Sequence, residues 1–246
     1  MPDKLPLLQV RPSDVAARAL VVGDPARAEQ AAAFLDHPRK VGANREYVTY
    51  TGDFGGRRVT VASHGIGAAG AGLCFEELAR AGARVLIRAG TCGALVDDLA
   101  DGSQVIATGA VRDEGLTPRL APQGYPALAD HRVVDALERA ADEAGAVARS
   151  GVVLTSDLFY PSEALGQSWG VWQKSRVLAV EMEAAALFVI AALHGLRAGG
   201  IFTVDGNPTR AAQDMSEYDP QRPIVGRGKE TMLDVALAAL VSIDTP

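Results

Sequence analysis

Val85-Leu86-Ile87-Arg88-Ala89-Gly90-Thr91-Cys92-Gly93-Ala94 is the stretch on which both the fold and the chemistry turn. Val85 to Ile87 is a short aliphatic run of the kind that forms a buried strand, and it leads straight into a guanidinium and a Gly-Thr-Cys-Gly turn. An Arg in such a place is rarely buried without a partner. Two partners satisfy it: an oxyanion approached by the amides of a glycine turn, or a neighbouring carboxylate. The first reading puts an anion site at the carboxyl end of a sheet strand.

A chain of 246 residues, 48% of them hydrophobic, can bury one large α/β core, so the expectation is a single domain over residues 1–246. The net charge of −6 and the absence of any Lys/Arg block argue against a nucleic-acid surface. Cys74 and Cys92 have no disulfide-framework spacing, which fits a reducing compartment. The N-terminus is broken by Pro2 and Pro6 and lacks the apolar core of a signal peptide, and Ala184 to Leu193 is too short to span a bilayer. These features predict a cytoplasmic protein with a small-molecule partner and no membrane contact.

Outward from the central stretch, similar junctions recur. Ala19 to Val22 reads as a strand running into Gly23-Asp24-Pro25-Ala26-Arg27, with Pro25 opening a helix to about Phe34. Arg27 in a helix's first turn opposes the dipole unless an anion sits there; the alternative is a solvated surface Arg. Tyr47–Tyr50 and Arg57–Ala62 read as a hairpin joined through Gly52–Gly56. Its second strand ends in Ser63-His64-Gly65-Ile66-Gly67-Ala68-Ala69-Gly70, which matches the dinucleotide fingerprint by letter. That fingerprint needs an acidic residue about twenty positions on to hold the ribose. Arg88 stands there instead, compatible only with a 2′-phosphate, so an NADP enzyme is a weak reading. His64 has no metal-ligand spacing and reads as a loop or core residue.

Downstream, Gln104–Val111 reads as a strand, Arg112–Ala129 as a loop over a pocket, Asp130–Ala144 as a helix, and Val152–Thr155 as a strand ending at Phe159-Tyr160. Such an aromatic pair suits stacking on a flat ring or packing under a loop. Leu178–Val180 is a short strand feeding Glu181-Met182-Glu183 and the helix Ala184–Leu193. Placed on that helix, carboxylates two residues apart point to opposite sides, so one faces inward as a diol acceptor or a cap. Ile201–Val204 is a strand ending at Asp205, and a helix from about Lys229 to Ser242 closes the chain. Arg88, Phe159, Glu183 and Asp205 thus each follow a strand, where α/β sheets gather ligands. Anion binders, a diol acceptor, aromatics and an acid, with no evident nucleophile, describe glycosyl transfer from a nucleoside to phosphate.

The chain resembles the nucleoside phosphorylases of the bacterial trimer/hexamer type, which include purine nucleoside and uridine phosphorylases. The resemblance runs from about Val21 to Leu240 and rests on Gly23-Asp24-Pro25-x-Arg27, Arg88-x-Gly90-Thr91-Cys92-Gly93, Ser156-Asp157-Leu158-Phe159-Tyr160 and Glu181-Met182-Glu183. It implies a mixed twisted sheet flanked by helices on both sides and a hexamer built as a trimer of dimers. It also implies phosphate as co-substrate, with no cofactor and no metal. Phosphate would be held by Gly23, Arg27, Arg88 and Thr91, with Arg45 lent by a neighbouring subunit. Met182 and Glu183 would hold the ribose. Cys92, Gly93, Phe159 and Val180 would line the base, and Asp205 would act at it, so that Asp205 and Arg88 carry the catalysis.

Two departures stand out. The family's N-terminal His, lent to the neighbour's ribose, is replaced by Leu7-Leu8-Gln9, and Ser162-Glu163-Ala164-Leu165 lacks the Gln and Arg with which uridine phosphorylases read uracil. Val204-Asp205-Gly206 resembles purine-specific members. A purine nucleoside, inosine or guanosine ahead of adenosine, is therefore the expected substrate. The alternatives are uridine phosphorolysis, a water-using nucleosidase on the same fold, and a non-catalytic nucleoside binder.

Overall fold

The computed structural model describes residues 3–160, 164, 169–210 and 218–245. After a 3-10 turn at Pro12–Asp14, the elements in chain order are β1 (Arg18–Val22), α1 (Pro25–Ala32), β2 (Asp36–Asn44), β3 (Tyr47–Phe54), β4 (Arg57–Ser63), α2 (Ala68–Ala81), β5 (Val85–Ala94), β6 (Gln104–Asp113), α3 (Thr117–Leu120), β7 (Ala127–Leu128), α4 (His131–Glu143), β8 (Ala148–Ser156), α5 (Trp169–Lys174), β9 (Ala179–Glu181), α6 (Ala184–Leu193), β10 (Arg197–Gly206) and α7 (Pro223–Ser242). The strands form one mixed sheet in the order β10-β6-β8-β9-β5-β1-β4-β3-β2, with β7 on β6. Because β10 also pairs with β5, the strands β10, β6, β8, β9 and β5 close into a ring, and β1, β4, β3 and β2 continue outward from it.

Period-two alternation divides the core. Leu20 and Val22, with Val85, Ile87 and Ala89, pack against α4 and α7 through Val133, Leu137, Leu233 and Leu237. Ala19, Val21, Leu86 and Phe202 lie in the opposite cluster with Phe75 and Leu78 of α2 and Leu187 and Phe188 of α6. Arg88 shares the parity of Leu86 and so projects toward α2 and α6. Helix α6 is apolar on every side and buried from Ala184 to Ala191, and each fully buried Leu or Phe there contributes about 1.5–3 kcal/mol. Among the described residues no helix is long and apolar enough to cross a membrane.

Several expectations need correction. Gly90–Gly93 is not a turn: β5 continues to Ala94 because Phe202, Thr203 and Val204 of β10 stay in register beside Gly90, Thr91 and Cys92, and β9 pairs with Gly93 and Ala94. The glycines make room for neighbours. A Cβ on Gly90 would lie 2.2 Å from Nη1 of Arg88, and one on Gly93 would lie 2.9 Å from Pro208. Arg88 therefore lies within a strand, not after one. The 47–62 hairpin turns at Gly55-Gly56, whose φ values of +55° and +73° suit glycine. It gains an outer strand, β2, that hydrophobic alternation could not reveal because its residues are mostly exposed. The 112–129 loop contains α3 and β7 and is held by Arg112, which donates to the carbonyls of Thr117 (2.7 Å), Ala121 (3.0 Å), Pro122 (2.8 Å) and Tyr125 (2.6 Å). Glu181 and Glu183 do not share a helix: Glu181 ends β9, and Glu183 is the N-cap of α6, with a non-helical φ of −144°.

Candidate functional site

Neighbouring strands bring the predicted residues together at one end of the sheet. β1 lies between β4 and β5, with Val21 beside Arg88 and Val22 beside Ser63. The β1–β4 contact continues past both strands, where the His64 amide donates to Val22 O and the Gly65 amide to Gly23 O, each at 2.9 Å. A Cβ on Gly23 would stand 3.4 Å from Gly65 O and 3.9 Å from Cε1 of His64, so the glycine is packed against this backbone. On the other flank β10 carries Asp205. The register shifts between Val204 and Gly206, leaving Asp205 as the extra residue of a β-bulge. A bulge re-aims the side chain it carries.

Arg88 is buried, its guanidinium carbon 5.0 Å from the ring centroid of Phe202. Its Nη2 donates to Glu183 Oε2, and its Nη1 lies 3.5 Å from Glu181 Oε2. Nη1 and Nε have no hydrogen-bond acceptor among the described residues. Of the two partners that the sequence allowed for Arg88, the structure shows the carboxylate: it pairs with Glu183 and Glu181.

The two glutamates divide the work that sequence alone assigned to either. Glu181 is the cap, accepting from the amides of Glu183 (2.8 Å) and Ala184 (2.9 and 3.0 Å) and from the Thr155 hydroxyl (2.5 Å). Burial raises its pKa against the pull of Arg88. Glu183 accepts from Arg88 and, at 2.6 Å, from the amide of Gly67. Burial pushes its pKa up, but the charge of Arg88 and the hydrogen bonds from Arg88 and the Gly67 amide hold it below the usual carboxylate value. The glycine run 65–70 therefore presents its helix-opening amide to a carboxylate of its own chain, a use different from the dinucleotide fingerprint.

Asp205 is only 4% exposed. Burial raises its pKa, opposed by hydrogen bonds from Tyr218 and Thr91 and by the charges of Lys229 and Arg27. The Tyr218 hydroxyl donates to Oδ2 at 2.8 Å, and Arg222 Nη2 donates to the Asp205 carbonyl at 2.9 Å while its Nη1 pairs with Asp101 at 2.7 Å. Arg27 makes no hydrogen bond or ion pair within the described residues. Its pKa is lowered by burial and by the like charge of Arg88, with Asp24 and Asp205 opposing.

The remaining predicted residues fall into two sets. Cys92 is buried beside Asp205, and burial with the nearby carboxylates drives its thiol pKa well up. Gly93 pairs with Val180, and Met182 is half-buried between the two glutamates. Phe159 is 46% exposed, packed edge-on against Tyr160 and against Tyr218, which links it to Asp205. Arg45 is exposed at the β2–β3 turn with φ +53° and makes no ion pair among the described residues. Of the stretch 162–165, Ser162, Glu163 and Leu165 lie outside the described residues. Leu7 and Leu8, where the family carries its His, give their amides to Glu77 at 2.8–3.2 Å.

Sequence reading singled out neither Tyr218 nor Thr155, and it read His64 as a loop or core residue, which its complete burial bears out. The first two carry no local signal. His64 sits directly after a strand, as Asp205 sits near the end of one, and the strand-end rule applied evenly would have marked it.

Comparison with known proteins shows the family to which the chain belongs. The phosphorylase superfamily matches residues 17–241. A uridine phosphorylase of Treponema pallidum is 40% identical over 87% of this chain and 88% of its own, and a purine nucleoside phosphorylase of Plasmodium falciparum is 34% identical over 100% and 99%. The crystal structure of purine nucleoside phosphorylase from Toxoplasma gondii in complex with immucillin-H superposes with a TM-score of 0.94 at 34% identity, covering 98% of this chain and 97% of that one. The chain belongs to the phosphorylase superfamily, as one of its nucleoside phosphorylases.

Proposed function

We propose that the enzyme catalyses the reversible phosphorolysis of a purine ribonucleoside or deoxyribonucleoside to the free base and the pentose 1-phosphate. The observation that carries the purine assignment is Asp205: a buried carboxyl, aimed by a bulge, with a pKa raised by burial. Cleaving an N-glycosidic bond leaves electrons on the departing base. A purine disposes of them by taking a proton at N7, for which a protonated carboxyl is the fitting donor, whereas uracil spreads them onto its carbonyls.

The remaining roles follow from chemistry and position. Arg88 and Arg27 repel each other across the end of β1, and an oxyanion between them would relieve that repulsion and take the Nε and Nη1 donors of Arg88. Gly23 and Thr91 would complete the phosphate site, and Arg45 would enter it from a neighbouring subunit. Glu183 uses one lone pair on each oxygen for Gly67 and Arg88, leaving the others to accept from a ribose diol, with Met182 beneath the sugar. Cys92, Gly93, Val180 and Phe159 would flank the base. Phosphate then attacks the anomeric carbon as the bond to the base breaks, and Asp205 delivers a proton to the base. Positioning and charge complementarity lower the barrier.

Uridine phosphorolysis is the second reading, favoured by the relationship to the Treponema pallidum enzyme. A panel of inosine, guanosine, adenosine and uridine, each with and without phosphate, decides the matter. Phosphate-dependent turnover of the purines is expected. Uridine as the best substrate overturns the base assignment, and turnover without phosphate overturns the phosphorylase.

A further inference from the structure

Nε and Nη1 of Arg88 and Nε2 of His64 are buried side-chain atoms that lack a hydrogen-bond partner among the described residues, and β1 stands between the two segments that carry them, with Val21 beside Arg88 and Val22 beside Ser63. His64 is completely buried, edge-on to Phe75 with ring centroids 5.3 Å apart, and its ring edge adjoins Gly23. Its Nδ1 is 2.9 Å from the carbonyl oxygen of Gly65. A carbonyl can only accept, so Nδ1 carries the proton. Burial, followed by the positive charge of Arg88, lowers the pKa of His64 to about 4, so the ring is neutral at pH 7 and Nε2 is a bare lone pair. The site thus holds an unused donor in Nε of Arg88, a second in Nη1, which has only its 3.5 Å ion pair with Glu181, and one unused acceptor on His64, while His64 senses the charges of Arg88, Glu183 and Arg27. Leaving a buried acceptor unmet is costly.

We infer that His64 reads the proton on the oxyanion: Nε2 accepts a hydrogen bond from the hydroxyl of hydrogen phosphate while Arg88 donates to its unprotonated oxygens. The inference rests on the phosphate assignment above and extends it from charge to protonation state. Hydrogen phosphate and sulfate are both tetrahedral dianions at neutral pH, but sulfate has no hydroxyl and would set an oxygen lone pair against that of Nε2. His64 would therefore be a specificity residue that admits phosphate and arsenate and rejects sulfate. It makes no bond and transfers no proton.

Calorimetric titration of the wild-type enzyme with phosphate, arsenate and sulfate at pH 7.5 tests this, together with the ¹⁵N resonance of His64 Nε2. Phosphate and arsenate should bind at least ~10-fold more tightly than sulfate, and only they should shift Nε2 in the hydrogen-bonded direction. His64→Phe should bring phosphate and sulfate within about threefold of each other, and His64→Gln, which retains an acceptor oxygen, should restore part of the preference. Equal binding of sulfate by wild type, an Nε2 resonance indifferent to phosphate, or a preference unchanged in folded His64→Phe overturns the inference. If phosphate-dependent turnover persists in any of these cases, only the role of His64 has failed. If no oxyanion binds and turnover needs no phosphate, the phosphate site itself has failed. The wild-type titration and resonance decide the question even if the Phe variant does not fold.

Discussion

The hydroxyl of Tyr218 donates to Oδ2 of Asp205 at 2.8 Å, so the carboxyl assigned to the base is held by a residue thirteen positions further along the chain. Burial raises the pKa of Asp205, and this hydrogen bond, which favours the carboxylate, is the first of the influences opposing it. Tyr218→Phe removes the opposition, so the pKa of Asp205 rises further. An acid must be protonated to act, and activity is lost as pH rises through its pKa. The alkaline limb of kcat for inosine should therefore move to higher pH in Tyr218→Phe. A limb that stays in place or moves down dissociates Asp205 from it.

Asp205→Asn keeps the shape of the side chain but removes the transferable proton. Inosine phosphorolysis should slow by roughly 100- to 10,000-fold, the usual size of general-acid catalysis. A nucleoside already cationic at N7, 7-methylguanosine, should be slowed far less. Steady-state kinetics on both substrates make the comparison, and equal slowing would reduce Asp205 to holding the base.

Arg88→Ala should abolish phosphorolysis through loss of about 2–4 kcal/mol of charge-assisted stabilisation of the transition state. From sequence alone the fold would be expected to survive this change unaltered. The contacts to Glu183 and Glu181 alter that expectation, because the substitution strands two buried carboxylates. Removing one partner of a buried pair costs roughly 3–5 kcal/mol. Denaturant unfolding of the variant should show a loss on that scale, and stability equal to wild type would mean that the pair has no structural weight.

Arg45 is exposed at a hairpin turn and unpaired among the described residues, and the phosphate role proposed for it is played in a neighbouring subunit's site. Arg45→Ala should raise KM for phosphate by about tenfold or more, as expected for one charge-assisted contact, with unfolding unchanged. Light scattering under assay conditions should report an oligomer. A fully active monomer would remove Arg45 from the site.

Much of the architecture was legible in local pattern. The aliphatic runs at Ala19–Val22, Val85–Ile87, Val152–Thr155 and Ile201–Val204 each became part of a strand, and the apolar block Ala184–Leu193 became the buried helix, because burial on both faces demands such runs. Arg88, Phe159, Glu183 and Asp205 were read as a group because strand ends collect ligands and charged residues there need a reason, although Arg88 proved to lie within β5. What local pattern could not express was who meets whom. That Gly90 makes room for a guanidinium, that Glu181 caps a helix while Glu183 holds Arg88, that a register shift between β5 and β10 re-aims the buried Asp205, and that Tyr218 meets Asp205 all depend on pairings between distant segments. Hydrophobic periodicity reports only whether a side chain is buried. Which neighbour fills its last hydrogen bond is set by strand order, register and the packing of helices over them, and those exist only in the folded chain.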